Sequence, residues 1–116
     1  MFKINGSTIE VTRGDSMAIN FSIENYTFSS GDKVEFRVYE KKGLDKEPVI
    51  SKVVIISEET EVVRIEVPGT DTKIGEVVNK PVTYWYEIEL NDASTIIGYD
   101  EDGAKELILY PEGVDE

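Results

Sequence analysis

Glu87 and Glu89 stand two residues apart in VTYWYEIEL, a run that alternates apolar and polar side chains. At that spacing on a strand both carboxylates share a face, and a pair of carboxylates is the minimum equipment of a glycosidase. Glu58 and Glu59 form a second pair, and Asp100-Glu101-Asp102-Gly103 concentrates three carboxylates before a glycine. Little other catalytic equipment accompanies them. The chain has no histidine and no cysteine. That removes the commonest general base, the usual nucleophile triads, disulfides and thiolates, and nearly every zinc site. A calcium loop sets its ligands at alternate positions and closes on a distant glutamate; DEDG lacks that spacing and reads as a solvated turn. Nothing in the pattern places a cleft around either glutamate pair. The expectation is a protein without enzymatic activity, metal or cofactor.

A second chemistry-bearing string is Arg13-Gly14-Asp15, the tripeptide that integrins read on adhesive proteins. It falls between a strand ending at Val11 and another beginning near Ser16. Gly14 supplies a left-handed backbone position without a Cβ clash. Asp15 suits hydrogen bonding to nearby amides, and Arg13 is expected to extend into solvent. A turn at this point needs a glycine and a short polar residue, so the tripeptide reads first as a structural turn.

The elements that must position these residues have a period of two. Met17, Ile19, Phe21 and Ile23 alternate with Ser16, Asn20 and Ser22. Val34, Phe36 and Val38 face inward against Glu35, Arg37 and Tyr39. Val63, Ile65 and Val67 oppose Arg64 and Glu66, and Val82, Tyr84, Tyr86, Ile88 and Leu90 oppose Thr83, Trp85, Glu87 and Glu89. Such alternation marks strands with one buried face. TIEV, PVISKVVIIS, STIIGYD and KELILYP add further strands. PVISKVVIIS is apolar on both faces in its second half, which suits cover on both sides or a bulge. The link 68–81 has room for one helical turn at Asp71–Ile74. About seven or eight short strands with turns every eight to twelve residues describe an all-β, antiparallel, immunoglobulin-like β-sandwich. Residues 1–116 form one domain, with the core at about 8–110 and an acidic tail at 111–116.

Twelve basic against 24 acidic residues leave a net charge of −12. Such a surface repels phosphate backbones and anionic lipid, so neither nucleic acid nor membrane is an expected partner. The N-terminal MFKINGSTIEV has no apolar core of a signal peptide, and no apolar run approaches the length of a membrane span.

Three stretches together carry a family resemblance: IEVTRGDSMAINFSI, then GDKVEFRVYEK, then YWYEIEL followed by a hairpin and a last strand ending LILYPEG. They resemble a family of small β-sandwich proteins of phages and prophages of Gram-positive bacteria, similar to the N-terminal domain of phage baseplate upper proteins. Gly31-Asp32-Lys33-Val34-Glu35-Phe36 fits that family's G-D-x-V/I-x-F strand, and Tyr84-Trp85-Tyr86-Glu87-Ile88-Glu89-Leu90 fits its aromatic strand. Val82 stands where the family has glycine, and EVVNKPV looks like an insertion after Gly75. The resemblance spans about residues 8–110. It implies a structural tail or baseplate protein acting through contacts with other virion proteins or with itself, in the virion or in the host cytoplasm during assembly.

Candidate contact residues follow from the alternation. Trp85 points to the face opposite Tyr84 and Tyr86, where an outward tryptophan suits a contact anchor unless a neighbour such as Phe2 covers it. Tyr39 shares that role, with Tyr26 and Phe28 on their loop. Aromatics on a sheet also stack on sugars, so an extracellular carbohydrate- or receptor-binding module is the alternative function. Tyr84 or Tyr86 suits a tyrosine corner, its hydroxyl bonding the preceding connection.

Overall fold

Alternating side chains bury one face of most strands, and among the described residues of the computed structural model nine strands build two sheets. The structure describes residues 1–42, 47–76 and 79–112. The strands are β1 (Phe2–Asn5), β2 (Thr8–Thr12), β3 (Met17–Phe21), β4 (Lys33–Tyr39), β5 (Ile50–Ile55), β6 (Val63–Val67), β7 (Val82–Leu90), β8 (Ser94–Ile97) and β9 (Lys105–Tyr110). One helical turn, α1 (Gly69–Thr72), lies in the link between β6 and β7. It begins directly after Pro68, two residues earlier than the spacing suggests.

The larger sheet runs β1-β2-β9-β7-β4-β5, with β8 on the edge of β7; the smaller is the pair β3-β6. The chain crosses between sheets after β2, β3, β5 and β6, which makes an immunoglobulin-like β-sandwich. The sheet is mixed rather than wholly antiparallel, because β2 and β9 run parallel, Ile9 beside Leu107 and Val11 beside Leu109. Strand β1, absent from the sequence pattern, pairs antiparallel with β2.

The end of the chain also differs from a simple hairpin. β8 and β9 both pair antiparallel with β7, β8 at Ile88–Leu90 and β9 at Val82–Tyr86. They are successive halves of one strand position, interrupted by an excursion in which Asp100 and Gly103 bridge. The true hairpin joins β7 to β8. Its turn residues Asn91 and Asp92 both have positive φ, the conformation a tight two-residue hairpin requires.

The core lies where the sheets overlap. Ile9, Val11, Met17, Ile19, Val34, Phe36, Val38, Val63, Ile65, Val67, Tyr84, Tyr86, Ile88, Leu107 and Leu109 are each exposed by 5% or less. Strand β5 departs from expectation: Ile50 and Val54 face inward, but Val53 and Ile55 face solvent at 51% and 59% exposure, so the strand is covered on one side only. It is an edge strand. Lys52 points inward from it and meets Asp71 of α1 at 2.5 Å. An inward charge on an edge discourages open-ended strand addition.

Tyr86 combines an inner-face ring with a polar tip. Its hydroxyl donates to the carbonyl of Ser7 at 2.7 Å, tying β7 to the β1–β2 turn rather than to the preceding connection. Tyr84 meets that connection by packing: a Cβ on Gly75, whose φ is +70°, would sit 2.6 Å from the Tyr84 hydroxyl. Burial pushes the Tyr86 phenol up to about 12 from an ordinary 10. A raised folded value means the proton is held more tightly in the folded state. The associated stability is complete below pH about 10 and is lost as pH rises toward 12, about 2–3 kcal/mol in all. Urea denaturation across this window is expected to show that loss in the wild type, and to show it reduced in Tyr86→Phe.

Candidate functional site

The Arg-Gly-Asp turn is built into the structure, not presented from it. The Arg13 amide donates to the Tyr110 carbonyl, and the Asp15 amide closes the turn on the Thr12 carbonyl, both at 2.9 Å. Gly14 has φ +92°. Its amide donates to the Thr72 hydroxyl at 2.9 Å, and that hydroxyl in turn lies 2.9 Å from the Asp15 carbonyl. Thr72 is fully buried, the one polar residue so placed among the described residues. A Cβ on Gly69 would fall 2.2 Å from the Gly14 carbonyl oxygen, so α1 and the turn meet backbone to backbone.

Arg13 does not extend into solvent. Its side chain is 12% exposed and pairs with Glu112 at 2.5 Å. Its Nε donates to the Ile74 carbonyl at 3.0 Å and its Nη2 to the Gly75 carbonyl at 3.2 Å. Carbonyls of the β6–β7 link have no strand partner there, and a guanidinium with five donors satisfies two of them at once. Asp15 faces the Met1 amino group. An adhesive receptor would find the arginine already engaged.

Of the carboxylates singled out by sequence, Glu87, Glu89 and Asp100 are engaged, while Glu58, Glu59, Glu101 and Asp102 are exposed. Arg37 reaches two of these and Glu35 on the outer face of the large sheet: Glu35 at 2.7 Å, Glu89 at 2.9 Å and Glu87 at 3.1 Å. The register explains the grouping, since Arg37 sits opposite Glu87 and Glu35 opposite Glu89. Hydrogen bonding, foremost from Glu35, raises the Arg37 pKa further. Glu87 and Glu89 therefore share one guanidinium on a sheet surface instead of flanking a substrate. In the excursion before β9, Asp100 accepts from Lys105 at 2.7 Å and from the Asp102 amide at 2.8 Å, which lower its pKa. Among the described residues no group of three such side chains is placed to hold a metal ion.

The aromatic candidates separate. Phe28 is fully buried, packed edge-on against Phe21 at 6.1 Å and Tyr26 at 5.1 Å, and its backbone bridges Thr60. It plugs the end of the core and offers no surface. Tyr39 points outward as expected but is only 5% exposed; it lies beside Trp85 and donates to Glu87 at 2.9 Å. These two are corrections to the contact-surface expectation: the first because a loop aromatic completes the core, the second because cross-strand neighbours cover it. Trp85 is half-buried. Tyr26 remains at the surface, its hydroxyl donating to Asp32 at 2.9 Å.

Asp32 is the residue whose role the sequence left unread. Its carboxylate accepts from the Ser29 amide, the Tyr26 hydroxyl and the Asn91 amide group. These bonds, the Ser29 one foremost, lower its pKa. The Gly31-Asp32 step, with Gly31 at φ +95°, organises both the 24–32 loop and the β7–β8 turn. Apolar residues reach solvent at several places, Tyr99 at 64%, Val62 at 55% and Ile4 at 44% among them, and three, Val49 at 39%, Val53 and Ile55, gather along and just before β5.

No family model and no curated protein matches the chain. Among solved structures, the crystal structure of the periplasmic chaperone SfaE is similar at a TM-score of 0.46 and 8% identity, over 97% of this chain and 59% of that one. The chain thus spans under two-thirds of that protein's length.

Replacing Thr72 by valine keeps its shape and removes the hydroxyl, leaving the Gly14 amide and Asp15 carbonyl unpaired. The expected cost is about 1–3 kcal/mol by urea denaturation. A change of a few tenths would show that the turn does not depend on this bond.

Proposed function

We propose that the chain is a non-enzymatic assembly protein that docks into a larger protein complex through edge strand β5, and that this complex is a phage or prophage tail or baseplate. The observation that carries the docking reading is the exposure of Val53 and Ile55 on the outer face of a strand that ends its sheet. Soluble chains seldom leave adjacent β-branched side chains more than half exposed on an edge. Beside them on β4 and β7 lie Glu35, Arg37, Glu87 and Glu89, a polar border fixed by ion pairs. An apolar centre with a polar rim is the composition of a protein contact. The tail or baseplate setting rests on the resemblance of the GDKVEF and YWYEIEL stretches. On that reading the protein acts in the virion, or in the host cytoplasm during assembly, with other tail proteins or a second copy as partners. A sugar- or receptor-binding role gains no support from Arg13, Phe28 or Tyr39, all of which are engaged or buried.

The test is sedimentation of tail particles from a lysate. The wild-type chain is expected to travel with the particles, and the double variant Val53→Lys with Ile55→Lys to remain behind while keeping its far-UV spectrum. A wild-type chain found only free in the lysate, or a double variant that still sediments with particles, contradicts the proposal.

A further inference from the structure

A groove of about 490 Å3 opens on the side of the molecule away from β5, where the two sheets cease to overlap. Ile19, Asn20 and Phe21 of β3 all line it. Consecutive strand residues point to opposite faces, so three in a row reach one groove only where it runs along the strand's edge. That edge is free among the described residues. β3 pairs with β6 alone, and no backbone group of Met17–Phe21 hydrogen-bonds outside that pairing. The floor is Tyr86 and Ile88, and the far wall is the β1–β2 turn with Ile4, which is 44% exposed. Tyr99, 64% exposed, stands at the mouth.

Unpaired strand groups beside an apolar trough suit a main chain that supplies both hydrogen bonds and alternate apolar side chains. Charge selects the kind of chain. The loop at the mouth carries Asp100, Glu101 and Asp102 against Lys105, which already pairs with Asp100. Glu101 and Asp102 are exposed. A second copy of this chain would bring a further −12 and meet repulsion. We propose that the groove receives an extended segment of a different, basic protein, added as a strand to the free edge of β3, with apolar side chains entering the groove and lysine or arginine facing the 100–102 loop. This site is separate from β5 and stands whether or not β5 docks.

The test titrates the isotope-labelled full chain with two octapeptides, one alternating valine with lysine and one alternating valine with glutamate, followed by NMR. The lysine peptide is expected to shift the amides of Ile19–Phe21 and Gly98–Tyr99 and to slow exchange along β3, while the glutamate peptide leaves them unmoved. Glu101→Lys combined with Asp102→Lys changes only exposed side chains and is expected to weaken binding about tenfold. Several results overturn the proposal: no change at β3 with either peptide, equal binding of both, shifts scattered over the acidic surface with β3 unmoved, or binding indifferent to the double variant. Groove amides that answer only to anilinonaphthalene sulfonate would make this a pocket for a small apolar ligand instead.

Discussion

Two strands have to cover a sheet of seven. The inner faces of β4, β7 and β9 find their cover in β3 and β6, and there Phe36, Ile65, Ile88 and Leu107 lie fully buried. Burial of such side chains is the dominant favourable term in a domain of this size. Elsewhere that cover thins: neither β1 nor β8 has a buried residue. On one flank Lys52 of β5 pairs with Asp71, while the outward side chains of that strand are left to solvent. On the other flank β1 extends the sheet beside β2, the Tyr86 hydroxyl holds the β1–β2 turn, and the groove beside β3 remains. Phe28 closes one end from its loop.

The same constraint accounts for the fate of the residues that first suggest chemistry. A chain with twice as many acids as bases has to distribute few cations among many carboxylates. Arg37 serves three of them, Arg13 serves Glu112 and two carbonyls of the β6–β7 link, and Lys105 serves Asp100. Each cation thereby fixes a connection or a sheet surface. Arg13-Gly14-Asp15 becomes a clasp between the β2–β3 turn and α1, with Thr72 as its buried pin. Among the apolar side chains left at the surface, Ile4, Val53 and Ile55 stand on the edge strands β1 and β5.

Alternation made most strands legible, because a period of two fixes which face each residue takes. It fixes no neighbours, so the parallel partnership of β2 with β9 and the sharing of β7 by β8 and β9 were invisible. The short β1 is held by pairing rather than by a run of its own. Loop aromatics misled: Phe28 sits among polar residues in sequence, yet its ring completes the core. Tyr39 does face outward, but the sequence has no signal for Trp85 standing opposite it across the strands or for Glu87 accepting from its hydroxyl. Gly31-Asp32 stood out in the sequence only as the start of the GDKVEF stretch; the three hydrogen bonds to Asp32 depend on loops brought together by the fold.

Amide hydrogen exchange tests the incomplete cover most directly, because protection follows backbone pairing and burial. In β3, amides that face β6 are expected to be strongly protected, and those that face the open edge to exchange far faster, in alternation along Met17–Phe21. Uniform strong protection along the whole of β3 would mean that its outer edge is already covered, and the two-against-seven account would be wrong.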